Sequence, residues 1–135
     1  MKALDTSVLL ALLEGEPGAR DILRRLHGVE VATTEANLLE LAYLSARGPE
    51  RHRRARREAI ARLRRKVTVL PIDNHAVESA SEHIAKSGET PVPLVAAMMG
   101  ALESSGCEEL LTLDPPVPIG KWKVRVTQVR FHHTK

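Results

Sequence analysis

Three carboxylates in this chain lie where short apolar segments are expected to meet helices. Asp5 closes an apolar N-terminal stretch, Glu40 lies inside an aliphatic run, and Asp114 follows the segment Leu-Leu-Thr-Leu. An acid among aliphatic side chains is costly unless something pairs with it. Converging carboxylates suit Mg²⁺ or Mn²⁺, hard cations that take oxygen ligands and keep several waters for a phosphate to displace. Such ions activate water and stabilise the leaving oxygen of a phosphodiester.

Each of these acids also has a purely structural interpretation. Asp5 can cap the helix that follows it, and Asp114 can be an ordinary turn residue before two prolines. Glu40 is the hardest to explain in this way, because aliphatic residues flank it on both sides. Glu35 is close to Glu40 in the chain, but its position in the first turn of a helix is better explained by the helix dipole.

Length and composition indicate one domain spanning residues 1–135, since a chain of 135 residues can bury a single core. The chain contains one Trp, one Tyr and one Phe, so a base-stacking surface is not expected. Cys107 is the only cysteine, and the N-terminus lacks the features of a secretory signal, which together indicate a reducing cytoplasm. No apolar stretch approaches the roughly 20 residues that span a bilayer, so we expect a soluble protein with no membrane contact.

The positive charge of the chain is concentrated in one segment. Of 20 Lys and Arg residues, ten lie between Arg47 and Lys66, where only Glu50 and Glu58 oppose them. Such a block attracts the phosphate backbone of a nucleic acid. The alternative is a solvated helix whose arginines pair with neighbouring acids or with a partner protein.

Periodicity and helix-end signals predict short strands that alternate with helices. The predicted strands are 2–4, 29–32, 67–70, 110–113 and 122–129. Four predicted helices span 6–13, 17–26, 50–66 and 92–104. A further helix follows a cap at Thr33 or Thr34 and ends near residue 46. Another follows a cap at Asp73 or Asn74 and ends near residue 86. Short apolar strands between helices indicate an α/β fold with a mostly parallel sheet covered on both faces. The carboxyl ends of the strands would then bring Asp5 and Asp114 to one edge, which Glu40 can reach from its helix.

Three segments of the chain resemble the successive motifs of PIN-domain proteins, in particular toxin ribonucleases of the VapC type. They read Leu4-Asp-Thr-Ser-Val-Leu-Leu10, Asn37-Leu-Leu-Glu-Leu-Ala42 and Leu110-Leu-Thr-Leu-Asp114. The resemblance covers nearly the whole chain in the same order. It implies a three-layer α/β/α domain with a mostly parallel central sheet, usually a homodimer. It also implies divalent-metal-dependent cleavage of RNA and inhibition by a cognate antitoxin protein.

The resemblance assigns roles to individual residues. Asp5, Glu40 and Asp114 match acidic positions that bind Mg²⁺ or Mn²⁺ and carry catalysis, and Ser7 and Thr112 match hydroxyl residues that support them. If RNA is the substrate, the basic segment is expected to hold its backbone. The residues that we expect to do so are Arg51, Arg53, Arg54 and Arg57.

One position departs from the family pattern. The third acid of the family usually opens a helix that reads Asp-x-Leu-Ile-Ala-Ala, and the corresponding stretch here is Val92-Pro-Leu-Val-Ala-Ala97. Val92 cannot bind metal, and Glu89, one turn earlier, is the acid that could replace it. Two functions therefore stay open: a divalent-metal-dependent endoribonuclease, and a catalytically degenerate PIN-fold module that binds RNA or a protein partner without cleaving.

Overall fold

The computed structural model of the protein describes residues 1–114 and 122–130. Its strands are β1 to β5 in chain order: Lys2–Leu4, Val31–Thr34, Thr68–Leu70, Glu109–Thr112 and Arg125–Gln128. Its helices are α1 to α6 in chain order: Thr6–Leu13, Ala19–Arg25, Glu35–Ser45, Glu50–Lys66, Asn74–Ser87 and Pro93–Ser104. Each predicted strand and helix is therefore present, with differences at the ends.

The strands form one sheet in the order β3-β2-β1-β4-β5, and every neighbouring pair among them is parallel. In the middle of the sheet, Ala3 of β1 lies opposite Ala32 of β2 and Leu110 of β4. A parallel sheet has the carboxyl ends of all its strands at one edge. The residues that follow β1 and β4 consequently lie at the same edge, as the sequence predicted.

The core lies on both faces of the sheet. Ala3 and Leu110 belong to an apolar cluster that includes Met99 and Leu102 of α6. Their neighbours in β1 and β4, Leu4 and Leu111, belong to a second cluster that includes residues of α1 and α3. Because successive strand residues point to opposite faces, this division produces three layers. The predicted α/β/α architecture is confirmed.

Side-chain caps explain where several helices begin. The Asp5 carboxylate accepts a hydrogen bond from the Val8 amide, and the Thr34 hydroxyl accepts one from the Asn37 amide. Asp73 caps α5 by accepting from the Ala76 amide at 3.0 Å, so Asp73 rather than Asn74 is the cap. Thr33 was the other candidate for the cap of α3, but it lies within β2 and donates to the Leu4 carbonyl.

Several predicted boundaries differ from the structure, among them the last strand, which is Arg125–Gln128 instead of 122–129, and three of the differences have local reasons. Strand β2 begins at Val31, because the Val29 amide donates to the Leu26 carbonyl in the turn after α2. Helix α6 begins at Pro93, whose restricted φ suits the first helical position. Strand β4 ends at Thr112, because the amide of Leu113 donates to the Ser7 hydroxyl instead of continuing the ladder. Every helix in the described part of the chain is too short or too polar to cross a bilayer.

Candidate active site

A pocket of about 200 Å³ lies at the carboxyl edge of the sheet, and all three candidate acids line it. Asp5 directly follows β1, Asp114 follows β4 by two residues, and Glu40 lies in the second turn of α3, which follows β2. The other lining residues come from α1, α3 and α6: Thr6, Ser7, Ala36, Asn37, Leu94, Val95 and Met98. The structure thus brings together acids that lie up to 109 positions apart in the chain.

Asp5 is 7% exposed and serves as the N-cap of α1. Its Oδ1 accepts hydrogen bonds from the Ser7 hydroxyl at 2.6 Å and from the Val8 amide at 3.1 Å. Burial raises the pKa of Asp5 above its ordinary value, although hydrogen bonds from Ser7, Thr112 and the helix amides act in the opposite direction. The capping interpretation of Asp5 is therefore correct, and the same carboxylate lines the pocket.

Ser7 and Thr112 connect the two carboxylates that follow strands. The Ser7 hydroxyl accepts from the Leu113 amide at 2.9 Å and lies 3.4 Å from the Thr112 hydroxyl. The Thr112 hydroxyl in turn accepts from the backbone amide of Asp114 at 3.1 Å. These contacts hold the first turn of α1 against the segment after β4. Both hydroxyls can therefore orient the neighbouring acids.

Glu40 is half-buried and Asp114 is exposed, and neither carboxylate forms an ion pair within residues 1–114 and 122–130. In the same residues, no three acid, His or Cys side chains are close enough to form a complete metal-binding group. The donor set nevertheless fits Mg²⁺ or Mn²⁺, because such ions can bind through one or two carboxylates and keep several waters. Asp5, Glu40 and Asp114 are the residues that would hold one.

None of the four candidate arginines lines this pocket. They lie in the N-terminal half of α4, and most of them contact acids of the same helix. Arg53 and Arg57 pair with Glu50 at 2.6 and 3.3 Å, and Arg54 lies 3.6 Å from Glu58. The structure therefore leaves the basic helix apart from the carboxylates and partly neutralises it, as the alternative interpretation of this segment anticipated.

Val92 is the N-cap residue of α6, the helix whose Leu94, Val95 and Met98 line the pocket. Its side chain is 65% exposed and makes no capping hydrogen bond. Glu89, the acid considered as a replacement, is not among the lining residues and instead lies 3.3 Å from His83. The His83 ring stacks on Trp122 with its centroid 3.7 Å away. Glu89 thus contacts a different part of the molecule.

Asn37 and Thr6 line the pocket but were not singled out as functional from the sequence. Asn37 is 5% exposed, and its side chain contacts Thr34, Thr6 and Met98. Its position three residues after the Thr34 cap, within an otherwise apolar stretch, is the signal that could have identified it. The contact of Asn37 with Met98 could not be predicted from the sequence around Asn37, because Met98 lies on a different helix.

A family model described as the PIN domain matches residues 2–115 of this chain. Similar solved structures include VapBC-5 from Mycobacterium tuberculosis, a member of the VapBC family of toxin-antitoxin systems. It is 25% identical in sequence with a TM-score of 0.66, and the match covers 95% of this chain and 98% of the VapBC-5 chain. VapBC2 from Rickettsia felis, bound to a promoter DNA fragment, matches at 10% identity, 94% and 97% coverage, and TM-score 0.76. VapC20 from Mycobacterium tuberculosis, a sarcin-ricin loop cleaving toxin, matches at 22% identity, 82% and 87% coverage, and TM-score 0.60.

The structural matches at 10% and 22% identity concern the fold alone. No curated protein matches the chain significantly. The family model, in contrast, covers most of the 135 residues and both ends of the acid pocket, from the strand before Asp5 to the residue after Asp114. This chain belongs to the PIN domain family.

Proposed function

We propose that this protein is a divalent-metal-dependent endoribonuclease of the toxin-antitoxin type, which hydrolyses RNA phosphodiesters. One observation carries the proposal: Asp5, Glu40 and Asp114, which come from distant parts of a PIN-domain chain, line a single pocket at the carboxyl edge of the sheet. Oxygen donors gathered in this way suit Mg²⁺ or Mn²⁺. The VapC20 relative, described as a toxin that cleaves the sarcin-ricin loop, has a similar fold.

In this proposal the protein binds and orients the reacting groups. Asp5, Glu40 and Asp114 hold the cation, which when bound lowers the pKa of water and stabilises developing charge on the phosphate. The Ser7 hydroxyl keeps the Asp5 carboxylate in place through their 2.6 Å hydrogen bond. The Thr112 hydroxyl positions the backbone of Asp114 by accepting from its amide. The apolar side chains of α6 on the pocket wall reduce the local dielectric and strengthen attraction between carboxylates and cation.

The test is cleavage of a labelled structured RNA by the purified protein. We expect cleavage with Mn²⁺, no cleavage with EDTA, and no cleavage by the Asp5→Asn variant with Mn²⁺. Glu78→Gln makes the same change of chemistry at an exposed residue of α5 and is expected to cleave like the wild type. Undiminished cleavage by Asp5→Asn would refute the assignment.

The second candidate function is a catalytically degenerate module that binds RNA or a protein partner. The observation that favours it is Val92, which occupies the N-cap position of the helix that forms one wall of the pocket and whose side chain has no metal-binding atom. In this case the protein does not cleave RNA in the presence of Mn²⁺, and it need not bind Mn²⁺. Measuring RNA cleavage, RNA binding and Mn²⁺ binding on the same preparation therefore separates the two functions.

We also propose that the N-terminal half of α4 contacts the RNA backbone and that the protein acts in the cytoplasm. Arg51 is the strongest of the four candidates, because Arg53, Arg54 and Arg57 are within ion-pair distance of acids on the same helix. Ion pairing reduces the charge that such a residue presents to a phosphate. The position of α4 outside the pocket means that these residues would hold RNA at a distance from the reacting bond.

Two protein partners complete the proposal: a cognate antitoxin and a second copy of the chain. The antitoxin is suggested by VapBC-5, a member of a toxin-antitoxin family with 25% identity to this chain. A homodimer is supported by Leu39 and Tyr43, which are one turn apart on α3 and each 65% exposed. Light scattering after size-exclusion chromatography tests the dimer, and Tyr43→Glu is expected to shift it toward the monomer. We further propose that residues 1–135 form a single domain.

A further inference from the structure

Asn37 is a nearly buried amide on the wall of the acid pocket, and the proposed chemistry gives it no part. We infer that Asn37 is a positioning residue, which holds α1, α3 and α6 at the spacing that brings Asp5 and Glu40 into one pocket. The inference rests on the proposed function, since it concerns the residues that would hold the cation. Asn37 itself does not serve as a ligand in this scheme.

The amide group of Asn37 uses both of its polar atoms within the protein. Its Oδ1 accepts a hydrogen bond of 2.7 Å from the Thr34 hydroxyl, which also accepts from the Asn37 backbone amide at 3.2 Å. Its Nδ2 donates to the Thr6 hydroxyl and to the Met98 sulfur, each at 3.2 Å. The Thr6 hydroxyl also lies 3.5 Å from the Asn37 carbonyl oxygen, to which it donates.

These contacts link the three helices that surround the pocket. Thr6 is the first residue of α1 and directly follows Asp5, while Asn37 precedes Glu40 by one turn of α3. Met98 lies on α6, which contributes apolar residues to the pocket lining. A single side chain therefore fixes where α1 and α3 begin relative to each other. Any change in this spacing moves the Asp5 carboxylate relative to Glu40.

The side-chain chemistry of asparagine fits this place and that of similar residues does not. An amide both accepts and donates, whereas a carboxylate only accepts and a leucine does neither. Removing the amide would take away the acceptor of the buried Thr34 hydroxyl and the donor to the buried Thr6 hydroxyl, leaving each with only its contact to the Asn37 backbone, and lost hydrogen bonds are costly in a low-dielectric interior. A neutral amide also adds no charge beside Asp5, whose pKa is already raised by burial. Loss of Asn37 should thus alter the pocket as well as the stability.

The experiment measures Mn²⁺ affinity of the full-length chain by the EPR signal of free Mn²⁺. Asn37→Ala is expected to weaken Mn²⁺ binding by about tenfold or more, the usual effect of removing a group that orients metal ligands. Ser45→Ala is the matched control, because Ser45 is also 5% exposed on α3 and its hydroxyl has no partner within the described residues. Unchanged affinity in Asn37→Ala, even with a lower Tm, would overturn the inference.

A second pair of variants covers the case in which Asn37→Ala does not fold. Thr6→Val removes the acceptor of the Asn37 Nδ2 without changing the size of the side chain, while Thr6→Ser keeps the hydroxyl. We expect Thr6→Val to bind Mn²⁺ more weakly than the wild type and Thr6→Ser to bind it equally well. Equal affinity of the Val and Ser variants would contradict a positioning role for the Asn37 network.

Failure of the proposed function is recognised separately. If the wild-type protein binds no Mn²⁺, the metal-dependent function is wrong, and crystal structures of the wild type and Asn37→Ala then decide the inference. A changed separation between the Asp5 and Glu40 carboxylates in the variant would support positioning by Asn37. An unchanged separation would overturn it.

Discussion

The Ser7 hydroxyl donates a 2.6 Å hydrogen bond to the carboxylate of Asp5, two residues earlier in the chain. The same hydroxyl accepts from the backbone amide of Leu113, so it connects the start of α1 to the segment that carries Asp114. Asp5 is buried, and burial is the largest influence on its pKa, which it raises above the ordinary value. One of the three acids of the proposed chemistry is therefore held in an environment that disfavours its charge.

Asp5→Asn is expected to raise the Tm of the metal-free protein at neutral pH. Because the pKa of Asp5 is higher in the folded than in the unfolded state, folding favours the protonated carboxyl group. This contribution to stability is fully present below the unfolded pKa and is lost as the pH rises through the folded pKa. The neutral amide avoids this loss and can still accept from the Val8 amide. Thermal unfolding at pH 7 with EDTA measures the effect, with Glu78→Gln as the control. A lower Tm for Asp5→Asn would contradict this account.

Val92→Asp is expected to increase Mn²⁺-dependent RNA cleavage and to stabilise α6. An aspartate at the N-cap can accept from an amide of the first turn, where Val92 makes no such bond, and this is worth about 1 kcal/mol. Val92→Asn is the matched control, because it caps equally well but adds no carboxylate. Cleavage assays and Tm measurements on both variants separate capping from metal binding. Equal cleavage by the Asp and Asn variants would show that a carboxylate at this position is not what the site lacks.

Arg51→Glu is expected to reduce both RNA affinity and its dependence on salt. Each phosphate contact with single-stranded RNA contributes about 0.7 to the slope of log affinity against log salt concentration. Arg53→Glu should have a smaller effect, because Arg53 already pairs with Glu50. Arg24→Glu on α2 changes the net charge equally and is the control. Fluorescence anisotropy at several salt concentrations measures the slopes, and unchanged slopes for both α4 variants would remove this helix from the RNA path.

Glu109→Gln is expected to lower stability at neutral pH and to reduce the loss of stability in acid. The pKa of Glu109 is lowered by the hydrogen bond from the Thr127 hydroxyl, with further contributions from Lys2 and Arg125. A lowered folded-state pKa contributes stability above the unfolded value of about 4.3, and this is lost as the pH falls through the folded pKa.

Tm measured against pH tests this prediction. The difference between wild type and Glu109→Gln should shrink as the pH is lowered below about 4.3. Glu108→Gln changes an adjacent but exposed acid, whose ion pair with the N-terminal amine should contribute little. A difference between wild type and Glu109→Gln that stays constant across this range would disprove the pKa argument.

Gly100→Ala is expected to destabilise the protein by about 1–3 kcal/mol, the usual cost of overpacking a well-packed site. A methyl group at Gly100 would clash with the Ala76 carbonyl oxygen and press on the Ala80 side chain across the α5–α6 contact. This exceeds the gain of about 1 kcal/mol in helix propensity. Urea unfolding measures the change, with Ser104→Ala at the exposed end of α6 as the control. A Gly100→Ala variant as stable as the wild type would mean that the two helices separate at little cost.

The amino-acid sequence was sufficient to predict the order of strands and helices and the parallel α/β sheet. These features depend on apolar runs, caps and helix-ending residues that act over a few neighbouring positions, as the Asp5 and Asp73 caps illustrate. The common edge of Asp5 and Asp114 followed as well, because parallel strands have their carboxyl ends together. Glu40 could be assigned to the same edge from its place near the start of a helix.

The tertiary structure alone decided which distant side chains meet. The pairing of Glu89 with His83, the separation of the α4 arginines from the pocket, and the contact of Asn37 with Met98 depend on how helices pack on the sheet. The last of these joins residues that are 61 positions apart. Such contacts are selected by the shape and polarity of packed surfaces in three dimensions, and local sequence patterns carry no record of them.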